Sequence, residues 1–261
     1  MRRRALVLAA AVLLAPGCNP KMEKPPPENP VLADMVDYRT GLALLREGRT
    51  DEAISLLTRA RASSPRDPNT SNALGLALLY KKDYKGAEKA FGEALQLQPD
   101  FLEARNNRGV TYLEANRLDD AERDFQALLD GPSSTDRANA YFNLGLVYKK
   151  RLLWVDAERD FSLAIADSPG MVRAYKERGL IRVREENFRD ALEDFLAYLK
   201  EDPKDPAANY NAALCLLAVG RRDLALKYME RAVAAAPDSE DGRRARRFLD
   251  AEQRNPPGDP K

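Results

Sequence analysis

From Gly41 to Pro237 small, apolar and polar positions follow one another in an order that recurs six times. Gly41 is followed twelve positions on by Ala53, four further by Leu57, and then by Ala60 and Pro65. The order returns as Gly75, Ala87, Phe91, Ala94, Pro99 and, shortened, as Gly109, Ala121, Phe125. Gly145, Ala157, Phe161, Ala164, Pro169 follow, then Gly179, Ala191, Phe195, Pro203, and finally Ala213, Ala225, Met229, Ala232, Pro237. The period is 34 residues, lengthened to 36 between the third and fourth units. Apolar positions three and four apart predict two amphipathic helices per unit. Helix A carries the Gly where a neighbouring helix approaches closely. Helix B carries the Ala at the same crossing and, one turn later, a large side chain filling the gap between adjacent units. Proline ends helix B, because it lacks the N–H and pushes the preceding residue out of helical geometry. The two extra residues fall in Gly131–Thr135, predicted to be an exposed loop. Ser239, Glu240 and Asp241 predict the start of one more helix over 239–253, with Arg243, Arg244, Arg246 and Arg247 on its outer face.

A fixed period of this length means a solenoid, and this residue order resembles the tetratricopeptide repeat. The resemblance implies an all-α, right-handed superhelical solenoid of six repeats plus a C-terminal capping helix, spanning residues 34–254. In such arrays helix A lines the concave face through repeat positions two, five, nine, twelve and thirteen. The ninth position is Leu42, Leu76, Val110, Leu146, Leu180 and Leu214, and the twelfth is Leu45, Leu79, Leu113, Lys149, Val183 and Leu217. Core positions on helix A are already filled by the seventh, eighth and eleventh residues, such as Leu74, Gly75 and Leu78, so a second apolar face asks for another partner. The alternative is that part of this stripe packs between repeats. A rim comes from position five, occupied by Tyr38, Asn72, Asn106, Phe142, Lys176 and Tyr210, where Asn amides can hydrogen-bond a bound backbone. The expected partner-binding groove is therefore Leu42, Leu45, Asn72, Leu76, Leu79, Asn106, Val110, Leu113, Leu146 and Leu180. With Leu in place of Asn at position nine, the expected occupant is an amphipathic helix or extended apolar segment rather than a free C-terminal carboxylate.

The N-terminus reads as an address. Met1-Arg2-Arg3-Arg4, an apolar run from Ala5 to Ala15 and Pro16-Gly17-Cys18 form an export signal too short to span a bilayer as a helix. Ending on Cys, residues 1–17 resemble a lipoprotein signal, which implies acylation of Cys18 and a membrane anchored through lipid. The other reading of these residues is an ordinary secretory signal with an incidental Cys. The second cysteine, Cys215, falls on the buried side of helix A in the sixth repeat and has no partner for a disulfide. Residues 18–33 hold Pro20, Pro25, Pro26, Pro27 and Pro30, an extended spacer of about 3.1 Å per residue. Asn19 after the Cys resembles the outer-membrane default, which places the protein on the periplasmic face of that membrane. Residues 255–261 are expected to be a disordered tail.

Lys+Arg number 42 against Asp+Glu 41, a balance that gives no electrostatic footprint for nucleic acid. The chain has no His and no Gly-rich phosphate loop, paired-Cys metal motif or nucleophile elbow, so no enzyme, metal or cofactor is expected. The acidic pairs Asp119-Asp120 and Glu185-Glu186 are expected at helix B starts, as partners of the helix dipole.

Signal, tether and six repeats together resemble the type IV pilus pilotins. Asn106-Asn107-Arg108-Gly109 and, after the long third loop, Asn143-Leu144-Gly145-Leu146 are similar to motifs of that family. The likeness implies an outer-membrane lipoprotein that helps a pilus secretin insert or form multimers. A different class of role fits the same repeats: a periplasmic adaptor lipoprotein docking cell-wall hydrolases or another envelope complex.

Overall fold

The recurring order folds as recurring helix pairs. The computed structural model describes residues 30–130 and 134–254, and among them are thirteen α-helices and no strand. The A helices are α1 Pro30–Arg46, α3 Pro68–Tyr80, α5 Leu102–Glu114, α7 Ser134–Lys150, α9 Val172–Arg184 and α11 Pro206–Ala218. The B helices are α2 Thr50–Ser63, α4 Tyr84–Leu97, α6 Leu118–Gln126, α8 Trp154–Asp167, α10 Phe188–Leu199 and α12 Arg222–Ala235, and α13 Glu240–Arg254 closes the array. Each helix packs on its chain neighbours, and α1, α3, α5 and α7 touch in series, so the A helices share one side of the solenoid.

The core is a ladder of equivalent positions. Ala53, Ala87, Ala121, Ala157, Ala191 and Ala225 have no exposed surface, nor do Leu57, Phe91, Phe125, Phe161, Phe195 and Met229. The close approach that demands glycine is a ring against a helix, not helix A against the Ala of helix B. A methyl added at Gly75 would lie 2.7 Å from the Phe91 ring, at Gly109 2.6 Å from Phe125 and at Gly145 2.7 Å from Phe161. Gly41 meets Leu57 in the same way at 2.7 Å, whereas at Gly179 the nearest atoms stand 3.2 Å off. Each ring also joins the next repeat: Phe91 shares a buried cluster with Ala104 of α5. Burying a Phe or Leu side chain is worth about 2–3 kcal/mol, and the ladder repeats that gain at every step.

Helix ends follow local chemistry. Pro68 and Pro206 occupy first-turn positions, where the missing N–H costs nothing, behind Asp67 and Asp205 caps that accept from Asn69 N (3.0 Å) and Ala208 N (2.8 Å). Every A helix ends on a left-handed residue: Gly48, Lys82, Asn116, Leu152, Glu186 and Gly220, with φ between 59° and 76°. The following N–H reaches back six residues inclusive in each case, as Arg49 N does to Leu44 O (2.9 Å) and Leu153 N to Tyr148 O (2.9 Å), closing the orphan carbonyls. Helices α2, α4, α8 and α12 stop two residues before Pro65, Pro99, Pro169 and Pro237. Ser239 caps α13, its Oγ accepting from Gly242 N at 3.0 Å.

Three boundaries depart from the sequence expectation. Helix α1 begins at Pro30, so its first turn takes in the last four residues assigned to the tether, as an early proline in a helix permits. Helix α7 begins at Ser134, so Ser134 and Thr135 are helical rather than part of the exposed loop, whose residues 131–133 lie outside the described residues. Glu185 and Glu186 are not at a helix B start: Glu185 caps the C-terminus of α9 and Glu186 is the left-handed residue, while Asp119 and Asp120 do lie in the first turn of α6. The signal, Cys18 and the 255–261 tail lie outside the described residues.

Candidate protein-binding groove

The side chains expected at the concave face fall into three groups. Leu42, Leu45, Asn72 and Leu76 come together around one cavity of about 400 Å³, completed by Tyr38, Arg46, Asn69, Ala73, Tyr80 and Glu103. Tyr38, Leu42 and Leu45 are half-buried and pack at the margin of the cluster formed by Leu44, Leu57, Ala73 and Leu74. The apolar floor therefore belongs to α1 and α3. Tyr80, 64% exposed, stands above it as a large ring without burial of its own.

Polar groups at this cavity are largely occupied by the solenoid. Asn72 is buried; its Nδ2 donates to Glu103 Oε1 (3.0 Å) and its Oδ1 accepts from Asn107 Nδ2 (3.3 Å). Its amide thus ties the second repeat to the third and is not free for a bound backbone. Burial, with the charges of Asp67 and Glu103, raises the Tyr38 hydroxyl above the usual tyrosine range, so it stays a neutral donor. Asn106 borders a second cavity of about 270 Å³ with Leu102, Glu103, Leu128, Asp136 and Asn139, and its Oδ1 accepts from Asn143 Nδ2 at 2.9 Å.

The remaining positions are more enclosed. Leu113 is closed into the core with Tyr112, Phe125 and Val147, because α7 covers it, and it does not line an open groove. Val110, Leu146 and Leu180 are half-buried at the margins of core clusters, as are Leu79, Leu214 and Leu217. Phe142, expected on the rim, is buried with its ring centroid 5.6 Å from that of Phe161 and the Arg173 guanidinium 4.9 Å above it. One cation interrupts the apolar stripe, Lys149 pairing with Glu177 (2.5 Å), and on the rim Lys176 pairs with Asp205. Cys215 is buried and free, its thiol pushed up to about 11 by desolvation, which makes it an inert small hydrophobe. Residues at positions two and thirteen, Asn69, Glu103, Arg46 and Tyr80, had not been singled out by sequence. The positional scheme pointed at them, but their mixed chemistry made no stripe.

Residues 32–68, 72–136, 109–172 and 176–240 match the tetratricopeptide repeat family. The chain belongs to that family. Protein FlbA of Caulobacter vibrioides is 33% identical over 146 residues, covering 52% of this chain and 24% of FlbA. The chain thus spans about a quarter of that relative's length. Among solved structures, Pseudomonas aeruginosa PilF superposes with a TM-score of 0.74 at 18% identity, covering 84% of this chain and 99% of PilF. PilW, a widely conserved type IV pilus biogenesis factor, superposes with a TM-score of 0.70 at 22% identity, covering 81% and 97%. At these identities the likeness is one of fold: a tetratricopeptide solenoid with the form of a protein-binding scaffold.

Proposed function

We propose that this protein is a scaffold that holds an apolar or amphipathic segment of an outer-membrane secretin in the groove of its first two repeats and promotes assembly of the secretin ring. The observation that carries the reading is the cavity floored by Leu42, Leu45 and Leu76, which lie half-buried at the margin of the core and keep part of their surface open to the cavity. Its breadth suits one side chain cluster of a helix or strand, and its rim of Tyr38, Tyr80, Asn69 and Glu103 supplies polar contacts at the edge. Fold likeness to PilF and PilW over most of each chain supports pilus biogenesis as the setting. Acylation of Cys18 and the Pro-rich tether would hold the groove against the periplasmic face of the outer membrane, close to where such a ring inserts.

Deleting the gene and running the organism's secretin on a gel tests the reading. Heat-resistant multimers should give way to monomer, and an undiminished multimer band would reject it. For the anchor, Cys18→Ala should abolish palmitate labelling and release the protein from the outer-membrane fraction. Undiminished label in that variant would remove the lipid anchor.

A further inference from the structure

The turn between α7 and α8 differs in kind from its five counterparts. At the left-handed position Leu152 stands where the other repeats have Gly48, Lys82, Asn116, Glu186 and Gly220. At the next, Leu153 replaces Arg49, Asp83, Arg117, Asn187 and Arg221, and two further on Val155 replaces Asp51, Lys85, Asp119, Arg189 and Asp223. Leu152 is 65% exposed, Leu153 44% and Val155 76%. Trp154 lies half-buried among them, with the Arg184 guanidinium 4.3 Å from its ring centre. The backbone does not ask for these residues, because the five polar turns make the same hydrogen bonds. A leucine in left-handed geometry is a cost, and three exposed apolar side chains within four residues gain little from the fold.

The surroundings favour one kind of occupant. Charges beside the turn are of both signs: Arg151 pairs with Asp119 and Glu122 and Arg159 with Asp156, while Arg184 on Trp154 and Lys150, which donates to Leu113 O, are exposed along with Glu185 and Glu186. An anionic lipid surface would meet carboxylates as well as cations here, whereas an apolar centre with Trp, Arg and a mixed-charge rim has the make-up of a protein interface. Three protruding side chains fall well short of the roughly 800 Å² per partner of a stable complex, so they serve a partner held elsewhere as well. That other place lies two repeats away along the same row of turns. Arg46 and Tyr80, each two residues before a left-handed turn residue, line the groove cavity, so the row of turns runs along the groove's edge.

We propose that the Leu152–Val155 turn is a second contact for the protein partner held in the groove, inserting into an apolar cleft of that partner whose margins carry charges of both signs. This rests on the groove reading above. The test is the full chain carrying Leu152→Asn, Leu153→Arg and Val155→Asp, which gives the turn the residues of the third repeat. Binding is measured by calorimetry against the organism's purified secretin. The variant should bind about tenfold or more weakly while melting no lower than wild type. Equal affinity would overturn the proposal and leave the groove reading standing. Absence of secretin binding by the wild type would reject both. Co-sedimentation of wild type, but not variant, with phosphatidylethanolamine and phosphatidylglycerol vesicles would assign the turn to lipid, and a dimer in sedimentation velocity lost in the variant would assign it to a second copy. Either result overturns the proposal. Should the triple variant melt lower, Val155→Asp alone, at a 76% exposed position, carries the same expectation and the same refutation.

Discussion

At the scale of single residues, the helix A glycines are defined by the rings that face them. Gly75→Ala places a methyl 2.7 Å from a fully buried phenyl ring, so overpacking of about 1–3 kcal/mol should outweigh the helix-propensity gain of about 1 kcal/mol. Gly179→Ala meets atoms at 3.2 Å that can yield by a few tenths of an ångström, so it should be near neutral. Urea melts of the two variants compare them, and equal losses would contradict the ring account. The Asp that precedes Phe125, Phe161 and Phe195 tells a second story. Asp194 is clasped by Arg178 (2.7 Å) and Arg182 (3.0 Å), and Asp124 by Arg108 (2.7 Å), but the fourth repeat has Leu144 where the third and fifth have Arg. Asp160, 2% exposed and paired with Arg159, has its carboxyl raised above the usual range, chiefly by burial. A raised folded-state pKa means stability is greatest below the unfolded value near 4 and falls as pH rises through the folded one. Asp160→Asn should therefore melt higher than wild type at pH 7, with the advantage shrinking at pH 4, whereas Asp194→Asn should cost about 3 kcal/mol by leaving Arg178 without a carboxylate, Arg182 keeping Glu158. Thermal melts at both pH values decide. Spacing made the Gly–Ala–Phe ladder legible, but not which atom each glycine touches, since that depends on how far each helix B side chain reaches.

At the scale of elements, the six left-handed caps are one motif written with different residues. Gly48 and Gly220 suit it, while Leu152 and Glu186 carry the steric cost of a Cβ at positive φ. Leu152→Gly should stabilise the protein by about 1 kcal/mol with unchanged helix content, read by circular dichroism in urea; a loss of stability would show that the turn is held by something other than its backbone. Helix extents were legible from prolines and periodicity, and the cap of α13 from Ser239. Glu185-Glu186 was misplaced because acidic pairs suit a helix start by charge alone, while the turn residue is set by where the previous helix stops. Three groove and rim assignments, Leu113, Phe142 and the amide of Asn72, differ from the structure for a related reason. Leu113 and Phe142 share repeat positions with half-buried residues such as Leu79 and Tyr38, yet α7 covers the one and Phe161 takes up the other. Asn72 was read as free because nothing in its own helix reveals Glu103 and Asn107 of the next.

At the scale of the whole molecule, a solenoid of equivalent steps becomes unequal along its length. Its leucine-floored groove cavity lies in the first two repeats, its later A helices carry paired cations, and its fourth turn projects apolar side chains. That gradient gives a repeat scaffold a preferred place for its partner. Leu42→Glu with Leu76→Glu should set two charges where an apolar segment docks and cost several kcal/mol of affinity for the secretin. Calorimetry reads the loss, with a melting control because both side chains touch the core. The most direct measurement is photocrosslinking in the living cell from a benzophenone side chain placed at Leu76, at Tyr80 or at Lys89 on the exposed side of α4. The account predicts a secretin adduct from positions 76 and 80 and none from 89; secretin adducts from 89 alone, or none from the groove, would contradict it.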